Sequence, residues 1–277
     1  MDTTTTDITT TTDTMTMTRV RRLAVLVAVA PLVAACGAGH HGSGGDDGGD
    51  GSWAAGARPV LSRGADLVIS TDGGVRLRPA DGDRAGVDRH VRHTWSHRDG
   101  TWVLDLSCPA RGDHADAGEC PRMPEVDVPA DTSVTVSARN AGIDVAGVSA
   151  ALRLTTVNGD VTVTGSGRPD APVRLATRNG SVRADTLRAG EVHAETVNGD
   201  VTLDCATAPD GVGAASTNGS VRVTVPRGAP AYRVAATTGN GRPSVGVPTA
   251  DGDDGRTMTL TTVNGDVTAG VGRTGTR

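Results

Sequence analysis

Along the second half of the chain, apolar and polar positions alternate, and the alternation breaks about every twenty residues. Leu154 and Thr156 share one parity, as do Val161 and Val163, while Arg153 and several threonines take the other. The same holds for Leu175 and Thr177 against Arg174, and for Val221 and Val223 against Arg222. A period of two marks strands with one buried face. Each break is an Asn-Gly pair or a near copy. "TVNGDV" begins at Thr156, Thr196 and Thr262, and "TRNGSV" and "STNGSV" begin at Thr177 and Ser216. Each copy reads as strand, Asn-Gly corner, strand.

Aligned on the asparagine, the copies give Asn158, Asn179, Asn198, Asn218 and Asn264, with Asn140 and Asn240 fitting through small insertions. The spacings, in order from Asn140, are 18, 21, 19, 20, 22 and 24 residues. A period near twenty reads as a solenoid. Two architectures satisfy it. Asn-Gly is a strong hairpin signal, so each copy could be an antiparallel hairpin. Alternatively, each copy is one coil of a single-stranded β-helix. The β-helix is favoured because equivalent side chains would stack in register about 4.8 Å apart. Stacked asparagines could then hydrogen-bond along the axis. Glycine serves the corner through its tolerance of positive φ. After Asn-Gly stand Asp160, Ser181, Asp200 and Ser220, an alternation that would hold like charges about two rungs apart.

Upstream, "ADLVIS", "GGVRLRP", "RHVRHTWSH" and "GTWVLDL" are short strand candidates between Gly/Asp turns, and "HRDG" reads as a hairpin turn. Cys108 and Cys120 bracket a polar loop, and in an exported protein they are expected to form a disulfide.

Composition narrows the core. There is no Phe, one Tyr and three Trp, so the interior must be filled by Val, Leu, Ala and Thr. The net charge of −5 without basic blocks argues against nucleic acid as a partner.

The N-terminus carries a targeting signal. Arg19, Arg21 and Arg22 precede the uncharged run "LAVLVAVAPLVAA", whose 13 residues suit a signal-peptide core and are too short to span a bilayer. Leu32-Val33-Ala34-Ala35-Cys36 resembles a bacterial lipobox. That resemblance implies cleavage before Cys36, lipidation of Cys36, and anchoring on the extracytoplasmic face of the cell membrane. The low-complexity "MDTTTTDITTTTDT" suggests that translation starts at Met15 or Met17. Residues 37–57 are a Gly/Asp-rich tether.

The repeated Thr-x-Asn-Gly-Asp/Ser-Val resembles the bacterial putative-adhesin β-strand-repeat family, domains of unknown function related to head-GIN adhesins. The Cys108-Pro109 to Cys120 pair leading into "VDVPADTSVTV", and "VTVPRGAPAYRV", extend the resemblance over about residues 58–270. It implies a right-handed single-stranded β-helix with a surface or envelope role, and it carries over no catalytic residues.

Other chemistry finds little support in the sequence. His90, His93 and His97 read as polar strand residues rather than zinc ligands. The corners lack the glycine density of calcium-binding β-rolls. Asp185, Glu191, Glu195 and Asp204 face outward, but nothing in the sequence pairs them as a glycoside-cleaving dyad would require. Cys205 shares the buried parity of Val201 and Leu203. No metal and no cofactor is expected.

The expected organisation is therefore a signal with lipobox over 1–36, a tether over 37–57, a β segment with a disulfide loop over 58–128, solenoid repeats over 129–270, and a tail over 271–277. The fold class is all-β. The expected function is non-catalytic, adhesin-like binding or scaffolding of a cell-wall polymer or envelope protein. A carbohydrate-active β-helix enzyme and an envelope-sensing accessory to a membrane regulator are the alternatives.

Overall fold

The computed structural model describes residues 51–53, 59–108, 119–251 and 255–272. Cys36, the signal, nearly all of the tether, residues 109–118 of the disulfide loop and residues 273–277 lie outside the described residues. Those described contain strands, turns and bends but no helix.

The N-terminal strands are β1 (Gly51–Trp53), β2 (Asp66–Ser70), β3 (Val75–Pro79), β4 (Gly86–Val87), β5 (Thr94–Arg98), β6 (Thr101–Asp105) and β7 (Glu125–Val128). The repeats supply β8 (Ser133–Ser137), β9 (Ile143–Ala146), β10 (Ala151–Asn158), β11 (Val161–Thr164), β12 (Gly167–Asn179), β13 (Val182–Asn198), β14 (Val201–Cys205), β15 (Gly211–Asn218) and β16 (Val221–Val225). The last strands are β17 (Tyr232–Asn240), β18 (Pro243–Val245), β19 (Arg256–Asn264) and β20 (Val267–Val271).

The strands that flank the Asn-Gly corners are parallel to their neighbours throughout, which overturns the hairpin alternative. Strands entering the corners pair β8–β10–β12–β13–β15 in one sheet. Strands leaving them pair β9–β11–β13–β14–β16 in a second. The long β13 belongs to both, its first residues to the second sheet and its last to the first. The chain therefore runs along one sheet, bends at Asn-Gly, runs along the other and returns. Antiparallel pairing occurs at the N-terminal end, where β5 pairs with β1 and β6, and β4 with β7. The β5–β6 hairpin turns through Asp99 (φ 49°) and Gly100 (φ 79°), the two positive values that a tight twisted hairpin demands.

The rungs do not follow chain order at either end. Strands β19 and β20 insert between the β15/β16 rung and the β17/β18 rung. Likewise β2 and β3 lie between β6/β7 and β8/β9, so the strands of 58–128 pair directly with those of the repeats. The C-terminal inversion has a physical reason. Strand β18 contains Pro243, which lacks an N–H and suits an edge. The next copy, with intact "TVNGDV", can pair on both sides.

Inward residues of both sheets share one core of Val, Leu and Ala. Large aromatics close it at the ends. Trp95 on β5 is fully buried, with its ring edge-on to Trp102 at 6.4 Å. Tyr232 on β17 is fully buried, and its hydroxyl donates to the Pro209 carbonyl at 3.0 Å. Burial raises the Tyr232 phenol to about 12. The Cys108–Cys120 disulfide is present, with Cα atoms 6.2 Å apart. It clips the enlarged connection between β6 and β7, at the place where later rungs have a short corner.

Candidate functional site

The repeated hexapeptide builds three parallel rows along one edge of the coil. The innermost is a row of hydroxyls. Thr177, Thr196, Ser216, Thr262 and Thr238 each donate to the carbonyl of a corner glycine on the adjacent rung: Gly159, Gly180, Gly199, Gly219 and Gly265, all at 2.7–2.8 Å. Thr156 does the same to Ala141. The residue two before the asparagine, buried in these copies except for the half-buried Thr238, is thus polar for a reason. Its hydroxyl satisfies a carbonyl that would otherwise be stranded where the chain turns. The parity pattern marks these positions as small and inward; the hydrogen bond depends on an adjacent coil.

The second row is the asparagine ladder. Side-chain amides donate from Asn179 to Asn158, Asn198 to Asn179, Asn218 to Asn198, Asn264 to Asn218, and Asn240 to Asn264, at 2.8–3.0 Å. The ladder expected from the sequence forms, with two corrections. Asn240 and Asn264 exchange places, because the last two rungs are inverted. Asn140 lies in register with Asn158, but its side chain joins no such bond among the described residues. Its corner, Asn140-Ala141-Gly142, shifts the glycine by one place, and its backbone N–H bonds instead to the Asp72 carbonyl. Thr71-Asp72-Gly73-Gly74 is a divergent corner that the alignment on asparagine misses. Thr71 is buried there and accepts the Gly73 N–H at 3.1 Å.

The outermost row reads, in spatial order, Asp160, Ser181, Asp200, Ser220, Asp266, Arg242. Each of the first five side chains accepts the backbone N–H of the next member, at 2.8–3.4 Å. The rung inversion preserves the alternation, since Asp266 rather than Arg242 follows Ser220. Burial works to raise Asp160, but the Ser181 N–H and the Arg183 guanidinium, 2.7 Å from Oδ2, hold its carboxyl below the ordinary value of 3.8. A depressed native value means that this stabilisation is complete above 3.8 and drains away as pH falls through the native value. Arg183→Ala is accordingly expected to move the acid-unfolding midpoint to higher pH, measured by circular dichroism.

On the outward face of the second sheet, Thr162, Arg183, Thr202, Arg222 and Thr268 stand opposite one another in register. Beside them, Asp185 and Asp204, each six residues past its corner asparagine, lie on adjacent rungs. Burial and then the charge of Asp185 raise the Asp204 carboxyl. Both are exposed. On the first sheet, Gly211 and Gly213 leave a shallow depression of about 320 Å³ between Arg174, Glu191 and His193 on one side and Thr257 and Thr259 on the other. The His193 ring, with Nε2 3.6 Å from Glu195 Oε2, lowers the Glu195 carboxyl against its partial burial.

The remaining candidates do not converge. His90 contacts Asp88 at 3.0 Å, His93 is buried against the Val91 carbonyl at 2.7 Å, and the His97 ring lies 4.5 Å from that of Trp102. Among the described residues, no group of three His, Cys, Asp or Glu is placed to hold a metal. Cys205 is buried, and burial followed by the charge of Asp204 raises its thiol to about 12. In the Cys36→Ala protein, Cys205 is expected to resist a thiol reagent at pH 8 until denaturant is added. Rapid native-state labelling would contradict this placement.

Residues 126–269 match the Toastrack DUF4097 family. No curated protein matches the chain. The crystal structure of a putative adhesin from Bacteroides fragilis NCTC 9343 is similar at a TM-score of 0.42 and 14% identity, covering 81% of this chain and 98% of that one. That of a putative cell adhesion protein from Clostridium sporogenes ATCC 15579 is similar at 0.32 and 8%, covering 81% and 100%.

Proposed function

The chain belongs to the Toastrack DUF4097 family, and from that premise we propose that it is a lipid-anchored, extracytoplasmic, non-catalytic binding protein of adhesin-like type. Its ligand is an envelope polymer or an envelope protein. The observation that supports this most directly is the register of the outward side chains. Bonded rows of Asn, Asp and Ser, with Thr and Arg beside them, recur on successive rungs from Asn158 to Asn264 and are held rigid by the inner hydroxyl row. Repetition on a rigid support suits an extended ligand that is itself repetitive. The coil is taken as right-handed, the hand that connections between parallel strands of one sheet adopt almost without exception. The lipobox-like residues before Cys36 support the anchor, with the tether holding the coil off the membrane.

Two experiments test this. The Cys36→Ala protein is expected to lose membrane association and acyl labelling; retention on the membrane without acylation would overturn the anchor. The detergent-solubilised full chain is expected to pellet saturably with purified cell-wall sacculi, and the dependence on salt and Ca²⁺ reports what drives the contact. Absence of pelleting would transfer the reading to a protein partner, including a membrane regulator, to be sought by cross-linking in the intact envelope.

A further inference from the structure

We infer that the outward face of the second sheet, next to the corner row, is a docking surface for an extended β-1,4-linked polysaccharide of uncharged sugars. This rests on the polymer-binding form of the function proposed above and names the polymer class. The face alternates with a period of two rungs. Asp200 and Thr202 share one rung, Ser220 and Arg222 the next, and Asp266 and Thr268 the one after. One rung is therefore an acceptor-rich pair of carboxylate and hydroxyl, and the next a donor-rich pair of hydroxyl and guanidinium. At the strand spacing of a sheet, two rungs span about 9.6 Å. In an extended β-1,4-linked chain, each sugar is turned over relative to its neighbour. The same hydroxyls thus return to the same side once per disaccharide, a length close to two rungs. An α-1,4-linked chain of the same sugar coils and does not keep that period.

Charge selects against a polyanion. On the repeat rungs of this face, Asp160, Asp185, Asp200, Asp204 and Asp266 outnumber Arg183, Arg222 and Arg242. A chain of anionic units would meet net repulsion, whereas neutral hydroxyls can donate to the carboxylates and accept from the guanidinium. Arg222 is positioned to do this. One period earlier, Arg183 is tied to Asp160 of the preceding rung at 2.7 Å. Arg222 stands in the equivalent place relative to Asp200, is exposed, and makes no ion pair among the described residues.

The test is titration calorimetry of the full chain in detergent with cellohexaose and chitohexaose, both β-1,4-linked, and with α-1,4-linked maltohexaose. A β-1,4 hexaose is expected to bind saturably and maltohexaose at least about tenfold more weakly. Arg222→Ala should weaken the β-1,4 ligand by about tenfold or more, as loss of a charge-assisted hydrogen bond predicts. Arg153→Ala, on the other sheet, should leave binding unchanged, and thermal melts of both variants check folding. Absence of saturable binding by both β-1,4 hexaoses, equal binding of maltohexaose, or an Arg222→Ala protein that folds and binds as before would each overturn the inference. If that happens while sacculi still pellet, the polymer class or the face is wrong and the proposed function stands. If sacculi also fail, the polymer-binding reading itself fails.

Discussion

Gly199→Ala is expected to destabilise the protein by roughly 3 kcal/mol or more, through backbone strain and overpacking together. Gly199 has φ of 152°, and a Cβ built there would lie 2.1 Å from the carbonyl oxygen of Gly180 on the rung below. That oxygen cannot retreat, because it accepts the Thr196 hydroxyl at 2.8 Å. The same close approach recurs at Gly180, where the nearest oxygen is that of Gly159 at 2.1 Å. A methyl at this position must push adjacent corners apart, breaking the hydroxyl, asparagine and aspartate rows at once. For a protein of this size the loss corresponds to a fall in Tm of roughly 6–12 °C. Gly270→Ala is the control. Its Cβ would meet nothing within 4 Å, so a change within about 0.5 kcal/mol is expected. Thermal or denaturant unfolding of the two variants decides the matter, and equal stabilities would show that corner contact does not limit the fold.

The second large effect is expected at the N-terminal end of the core. Trp95→Ala should cost about 3–5 kcal/mol, the range for emptying a buried aromatic site. The ring is fully buried and its indole N–H has no hydrogen-bond partner, so packing is what it supplies. Trp95 is paired in register with Leu104 of β6 and sits edge-on to Trp102. Removing it opens the end of a core otherwise made of small side chains, which cannot close over the space. Trp95→Phe retains most of the ring and should recover the larger part of the loss. Denaturant midpoints of the two variants test this, and a Trp95→Ala protein as stable as the parent would refute the end-cap role.

Much of the coil is legible in the chain. The alternation of Leu154 and Thr156 with Arg153, the recurrence of Thr-x-Asn-Gly, and the alternation of Asp and Ser are local facts about one strand and its corner. They carry strand, corner and inward face, because a strand's side chains alternate whatever lies beside it. Asn140 shows the limit. It aligns by residue type, yet its corner places Ala141 where the other copies have glycine, and side-chain stacking stops there. Asp72 shows the converse, a corner invisible to an alignment built on asparagine. The close approach of stacked corners was equally out of reach. Positive φ explains why glycine is allowed, whereas the 2.1 Å contact explains why it is required.

By itself, the sequence determined an all-β chain of repeated strand-corner-strand units, the buried parity of each strand, the residues of the ladder other than Asn140, and the cysteines of the disulfide. All of these follow from periodicity and residue chemistry within one unit. The tertiary structure alone decided which rung lies beside which. Pairing of parallel strands is set by what two distant segments offer each other across the full register, and sequence order does not constrain it at the ends. So β19 rather than β17 rests on β15, with proline-bearing β18 left at the edge. The surface available to a ligand is a product of that stacking order.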